Sequence, residues 1–225
     1  MGMSEVTKLL KTYVSSFIAG LLVVLGASIY LLLFAFDLRP IGAVMFAAGL
    51  IVILIFGFHL YTGMIGYAFS KDRTSPLSLL IVLLGNATAV IAIGYLLSLL
   101  RLTGWNALFD IVDGIADNRA VGSGEEWYRA IINGFFCGIF VFLAVHSYKV
   151  AKPTWLKILG VAFFISLFVL AGTEHCIANM FFFSLGSNWN VGTLLNTGLV
   201  IIGNSLGSLF IWFVLSSIEI ARQKR

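Results

Sequence analysis

Six stretches of this 225-residue chain are long and apolar enough to cross a lipid bilayer. A helix rises about 1.5 Å per residue and a hydrocarbon core is about 30 Å thick, so one crossing takes roughly 20 apolar residues. The stretches are 14–36, 41–69, 77–100, 128–148, 155–185 and 191–217. Charged or turn-forming segments at 37–40, 71–76, 101–129, 149–153 and 186–190 separate them. Only 11% of the residues are charged and 60% are hydrophobic, whereas a soluble domain carries about 25% charge, so this chain cannot build a polar coat. The expectation is one all-α integral membrane domain over residues 1–225, embedded in the lipid bilayer, with no room for an added soluble domain.

The distribution of charge excludes some partners. The formal charge is +4, but the basic residues sit at span ends rather than along one stripe, which argues against nucleic acid. Six crossings return both termini to one face. Lys8, Lys11, Lys71, Arg73, Lys149, Lys152, Lys157, Arg222, Lys224 and Arg225 lie on that face; Arg39, Arg101, Arg119 and Arg129 lie opposite. Lys and Arg gather in short cytoplasmic loops, so both termini are expected in the cytoplasm and the chain in the cell (inner) membrane. Cys137 and Cys176 fall in apolar runs without CxxC spacing, so neither a disulfide framework nor a metal cluster is expected.

The second and fifth runs, at 29 and 31 residues, exceed a simple crossing. Each holds a polar or helix-poor patch about two-thirds through, Gly57-Phe58-His59-Leu60-Tyr61-Thr62-Gly63 and Gly172-Thr173-Glu174-His175-Cys176. Broken helices at corresponding places in two halves point to a transport site. The halves, about 14–100 and 128–217, also correspond in a Gly-Asn pair: Gly85-Asn86 in the third run and Gly203-Asn204 in the sixth. Three spans per half invert the second half, which predicts an inverted three-plus-three repeat around a pore. Gly134/Gly138 and Gly203/Gly207 have the GxxxG spacing that lets helices approach closely.

Polar groups in hydrocarbon face a cavity or each other. His175 has two readings. Apolar surroundings disfavour the charged imidazolium, so a neutral His there is placed to protonate or orient an anion that arrives beside it. Alternatively, it bonds a carbonyl freed by the helix break. Glu174 is expected to point away from the pore and bind exposed N–H groups at the break, with Asn179 structural beside it. Thr62 and Asn204 are able to give an anion a hydrogen bond without adding charge, or to satisfy broken backbone. No GxSxG, HExxH, P-loop or GxGxxG is present, and no cofactor or metal is expected. Three other functions compete with an anion pathway. One is a neutral-solute facilitator of the water or glycerol kind, although the chain has no Asn-Pro-Ala pair. The others are a membrane enzyme using Glu174 and His175, and a subunit that anchors partners. The 101–129 segment, with Trp105, Asp110, Asp113 and Asp117, reads as a gate, a subunit contact or a plain amphipathic connector.

The decapeptide Gly172-Thr173-Glu174-His175-Cys176-Ile177-Ala178-Asn179-Met180-Phe181 resembles the signature of the formate/nitrite transporter family, with Leu60-Tyr61-Thr62-Gly63 and Gly203-Asn204-Ser205-Leu206-Gly207 similar to two further segments of it. The resemblance implies an aquaporin-like fold and a homopentamer with one pore per subunit. It also implies passage of a small monovalent anion such as formate, nitrite or hydrosulfide, passively or linked to a proton. It places the central histidine on His175, the loop threonine on Thr62 and the sixth-span asparagine on Asn204. Apolar constrictions fall on Phe46, Leu50, Leu60 and Tyr61 from the first half and on Val141 and Phe168 from the second. The chain departs from the pattern at Thr173, where an aromatic is usual, at His59, where an acid often stands, and at Gly138, where some members carry asparagine.

Overall fold

The computed structural model of the protein describes residues 3–70, 74–103, 106–122, 124 and 126–223. Lys71, Arg73, Trp105, Lys224 and Arg225 lie outside the described residues. Every regular element among the described residues is helical. The first half holds α1 (Met3–Ala35), α2 (Arg39–Phe56), α3 (Tyr61–Met64) with a short 3-10 turn after it, and α4 (Pro76–Ser98). A connecting helix, α5 (Asn106–Arg119), follows, and then α6 (Glu126–Val150), α7 (Thr154–Leu170), α8 (Cys176–Leu185) and α9 (Val191–Gln223).

Among the described residues, five helices are long and apolar enough to cross a membrane: those over Glu5–Ala35, Arg39–Phe56, Pro76–Arg101, Trp127–Val150 and Val191–Glu219. Their outer faces expose large apolar side chains such as Leu25, Ile55, Leu84, Phe136 and Phe213. Water penalises so continuous an apolar surface, and hydrocarbon does not. The chain is a multi-pass membrane protein. The run expected over 155–185 is not one helix: α7 has 17 residues and α8 has 10, each short for a crossing on its own.

Both expected breaks are present, and a glycine makes each one. Gly57 after α2 and Gly172 after α7 sit at φ 68° and 69°, in the left-handed region open to glycine at little cost. Behind each, the next residue donates back to a carbonyl five positions earlier: Phe58 N–H to Ile53 at 2.9 Å and Thr173 N–H to Phe168 at 3.2 Å. The chain then runs extended through Leu60 (φ −106°, ψ 126°) and His175 (φ −102°, ψ 116°) before α3 and α8 begin.

A non-helical backbone deep in a bilayer needs partners from neighbouring helices. One asparagine serves each break. Asn86 of α4 accepts the Tyr61 N–H at 2.9 Å and donates to the carbonyls of Ser16 (2.7 Å) and His59 (2.9 Å). Asn204 of α9 accepts the Cys176 N–H at 2.9 Å and donates to the carbonyls of Gly134 and Glu174, both at 2.8 Å. The two patterns correspond bond for bond, pairing His59 with Glu174, Leu60 with His175 and Tyr61 with Cys176. Close helix approach makes these reaches short. A β-carbon on Gly138 would meet the backbone of Asn204, and one on Gly207 the backbone of Phe135, so α6 and α9 touch through their glycine faces.

Candidate anion pathway

At the centre, α3 and the break before α8 bring Thr62 and His175 together although 113 residues separate them in sequence: Thr62 Oγ1 and His175 Nε2 are 2.8 Å apart, and both residues are buried. The hydrogen-bond pattern fixes the ring. His175 caps α8, its Nδ1 accepting the Ala178 N–H at 3.2 Å. An imidazole nitrogen that accepts carries no hydrogen, so the neutral ring has its hydrogen on Nε2. Nε2–H then donates to Thr62 Oγ1. The Thr62 hydroxyl hydrogen points away from His175 and is available to an acceptor placed beside the pair.

Apolar side chains enclose this pair. A cavity of about 20 Å³ is lined by Phe46, Leu50, Leu60, Val141, Phe168 and His175 together with Val23, Gly49 and Ile165. Five of the six constriction candidates therefore meet around the histidine. The sixth, Tyr61, is placed differently. Its hydroxyl bonds Ser205 Oγ at 3.0 Å and its N–H goes to Asn86, and it is absent from the lining of this cavity.

Two further cavities adjoin this one. Leu50 and Leu60 also line a cavity of about 330 Å³ that opens toward Lys149, with Val145, Tyr148 and His59 around it. Phe46, Phe168 and His175 also line a cavity of about 30 Å³ that reaches Arg119, Tyr30, Thr173 and Asn179. The three spaces form a series, divided by Leu50 and Leu60 on one side and by Phe46 and Phe168 on the other. The two phenylalanine rings meet edge-on at 88° with centroids 5.6 Å apart, and Phe168 stacks on the His175 ring at 5.9 Å.

Asn204 differs from its expected place on the pathway. Both of its amide hydrogens go to backbone carbonyls and its oxygen to a backbone N–H, so it holds the break open and has no donor left to offer an anion. Glu174 also departs from expectation. Its carboxylate is held by side chains rather than by backbone N–H groups. Asn196 donates at 2.7 Å, Asn179 at 2.9 Å and Asn133 at 3.3 Å, and Arg119 Nε lies at 4.0 Å. Asn179 sits in this web, its amide shared between Glu174 and Asn196, both at 2.9 Å.

Sequence reading overlooked Arg119. It ends α5, donates to Asn179 Oδ1 at 2.6 Å, and lies over the Phe182 ring at 5.5 Å. The signal was present. Phe109, Val112 and Ala116 form the buried stripe of α5, and Arg119 continues it three residues on. A basic residue in register with an apolar face is carried inward. The helix is pinned near its middle by Arg101, whose guanidinium forks onto Asp113 with bonds of 2.9 and 3.0 Å.

Known proteins resemble this chain in sequence and in fold. A sequence model described as formate/nitrite transporter matches residues 2–218. A formate-nitrite transporter of Entamoeba histolytica is 32% identical over 100 residues, 40% of this chain and 28% of that protein's length. Formate channel FocB of Escherichia coli is 26% identical over 192 residues, 77% of this chain and 67% of FocB. Among solved structures, a pentameric formate channel with formate bound superposes with a TM-score of 0.77 at 21% identity, covering 94% of this chain and 98% of that one. An ion channel of the same family gives 0.78 at 20% identity, over 96% and 92%.

Proposed function

From a chain that belongs to the formate/nitrite transporter family, and so to transporters rather than enzymes, we propose passive or proton-linked passage of a small monovalent weak-acid anion, of the formate, nitrite or hydrosulfide kind, through a pore in each subunit of a homopentamer. The observation that carries the reading is the Thr62–His175 hydrogen bond, at the junction of two apolar slits. In this reading the two halves are inverted repeats, and α7 with α8 forms the sixth crossing in an aquaporin-like fold. The ten-to-four excess of Lys and Arg on the terminal face sets both termini in the cytoplasm of a cell with the protein in its inner membrane.

The residues divide the work. Arg119 and the basic groups at the opposite mouth raise the local anion concentration. The slits at Leu50/Leu60 and Phe46/Phe168 strip the hydration shell, which excludes fully hydrated ions and larger solutes. Inside, the anion accepts from the Thr62 hydroxyl and, as it enters, draws the His175 Nε2–H from Thr62 Oγ1 to itself, so that two donors stabilise its charge without binding it as tightly as a fixed cation. Giving up the Nε2 proton outright would require Nδ1 to gain one, and Nδ1 is occupied by the Ala178 N–H. This favours orientation by His175, with the proton of the weak acid arriving from the aqueous mouths.

The test is uptake into proteoliposomes of formate, nitrite and hydrosulfide against chloride and glycerol, at pH 5 and 7.5. Saturable flux of a weak-acid anion that quickens at pH 5, with chloride excluded, is expected. Glycerol flux alone would support a neutral-solute facilitator and defeat the reading.

A further inference from the structure

The two donors of the centre sit on different breaks, and α9 touches both. Asn204 holds the second break, which carries His175, through the Cys176 N–H and the Glu174 carbonyl. The next residue, Ser205, reaches the first break, which carries Thr62: Tyr61 Oη and Ser205 Oγ are 3.0 Å apart. The direction of this bond is fixed. Ser205 Oγ donates to the Ile201 carbonyl at 2.7 Å, so its one hydrogen is spent and it accepts the Tyr61 O–H. Packing does not call for that hydroxyl, since phenylalanine would bury the same ring. Nor does the backbone of the break, whose Tyr61 N–H already goes to Asn86 at 2.9 Å.

The correspondence between the halves marks the bond as an addition. Gly85-Asn86 matches Gly203-Asn204, so Ala87 stands where Ser205 does, and Cys176 stands where Tyr61 does. Ala87 has no polar side chain, so α4 offers Cys176 no equivalent of the Ser205 acceptor. Thr62 needs such support more than His175 does. It lies on α3, a single turn over Tyr61–Met64 whose N-cap residue Leu60 makes no side-chain cap. His175 opens the ten-residue α8 and caps it with its own ring. A helix of one turn does not hold its own geometry. We propose that the Tyr61–Ser205 bond is a cross-tie between the two breaks, and that Tyr61 and Ser205 are positioning residues which hold Thr62 at 2.8 Å from His175, where the pair presents its donors to an anion. Asn204 and Ser205 are consecutive on one helix, so α9 sets the separation of the two donors directly. The proposal rests on the transport reading above, and deepens it by naming what fixes the geometry of its central pair.

Flux and spectroscopy together test it. Tyr61→Phe and Ser205→Ala each remove the bond with little change of shape. Maximal formate influx into proteoliposomes is expected to fall about threefold to fivefold in each, and no further in the double variant, since both changes remove one bond. In a Thr62→Val background, Tyr61→Phe is expected to add no loss, whereas a residue that served folding alone would add its own. Separately, protein with ¹⁵N-labelled histidine reports His175 Nε2 directly, its resonance assigned by its loss in His175→Ala. In Tyr61→Phe and in Ser205→Ala this resonance is expected to move toward its position in Thr62→Val, where the bond to Thr62 is gone. A His175 resonance unmoved in both variants, influx in both equal to that of a transporting wild type, or an undiminished Tyr61→Phe loss on top of Thr62→Val would overturn the proposal. A moved resonance in protein that carries no anion would sustain the cross-tie and defeat the transport reading.

Discussion

His175 and Thr62 are each ordinary residues, and the properties of the centre come from what fixes them. The Ala178 N–H on Nδ1 decides which nitrogen of His175 faces the pathway, and Nε2–H in turn decides that Thr62 gives its hydroxyl hydrogen elsewhere. Around them, asparagines do the structural work. Replacing Asn204 with Ala would take its partner from the Cys176 N–H and from the Glu174 carbonyl, and a second bond from the Gly134 carbonyl inside α6. The expected loss is about 1–3 kcal/mol, near the low end where membrane helices find other partners, read as a lower melting temperature in detergent. An unchanged melting temperature would deny the clamp. In the proposed pathway Arg119 acts through its charge. Arg119→Gln keeps an amide able to bond Asn179 and removes the cation, so formate flux should fall about tenfold, the equivalent of one charge-assisted bond. Flux equal to wild type at low ionic strength would remove Arg119 from the pathway.

At the scale of elements, the breaks were legible in the sequence and the wiring of the breaks was not. Gly57 and Gly172, each in an apolar run too long for one crossing, announced where α2 and α7 end. Five of the constriction candidates line the cavity that His175 also lines, because a fixed register from the break carries them to one side of each helix. Of the two readings open for Asn204 the structure takes the backbone one, since sequence shows that an amide lies in the membrane but not which carbonyls it faces. The fate of Asn204 depends on α6 and α9 meeting through glycines. Arg119 was missed because the 101–129 segment was weighed as a connector, although the stripe Phe109, Val112, Ala116 pointed it inward. The docking of α5 also carries a pH signature. Burial by itself would raise the Asp113 carboxyl, but bonds from the Arg101 guanidinium and the Asn188 amide outweigh it and hold the group below the usual carboxylate range. A carboxyl depressed in the folded state adds stability above its unfolded pKa, about 3.9, and loses it as pH falls through the lower folded value. Wild type should therefore melt above Asp113→Asn at pH 6, and the two should converge as pH drops below about 4. A gap that stays constant to pH 3 would contradict this account of the α5 anchor.

For the whole molecule, the apolar exterior and the polar interior are parts of one design. Large leucines and phenylalanines lie on the outside, and of the polar residues inside some are spent on the two breaks and others line the cavities that run from Lys149 past His175 to Arg119. The line is closed twice by apolar side chains, and in the proposed pathway a permeant trades its water for the donors between the slits. The central claim is that Thr62 and His175 supply those donors. Its most direct test is initial formate influx into proteoliposomes for wild type, His175→Ala and Thr62→Val, the last removing the hydroxyl while keeping the shape of the side chain. The account predicts a fall of at least about tenfold in each variant, for a donor worth some 1.4 kcal/mol or more, with the protein still folded. Formate influx in both variants equal to wild type at pH 5 and pH 7.5 would contradict it.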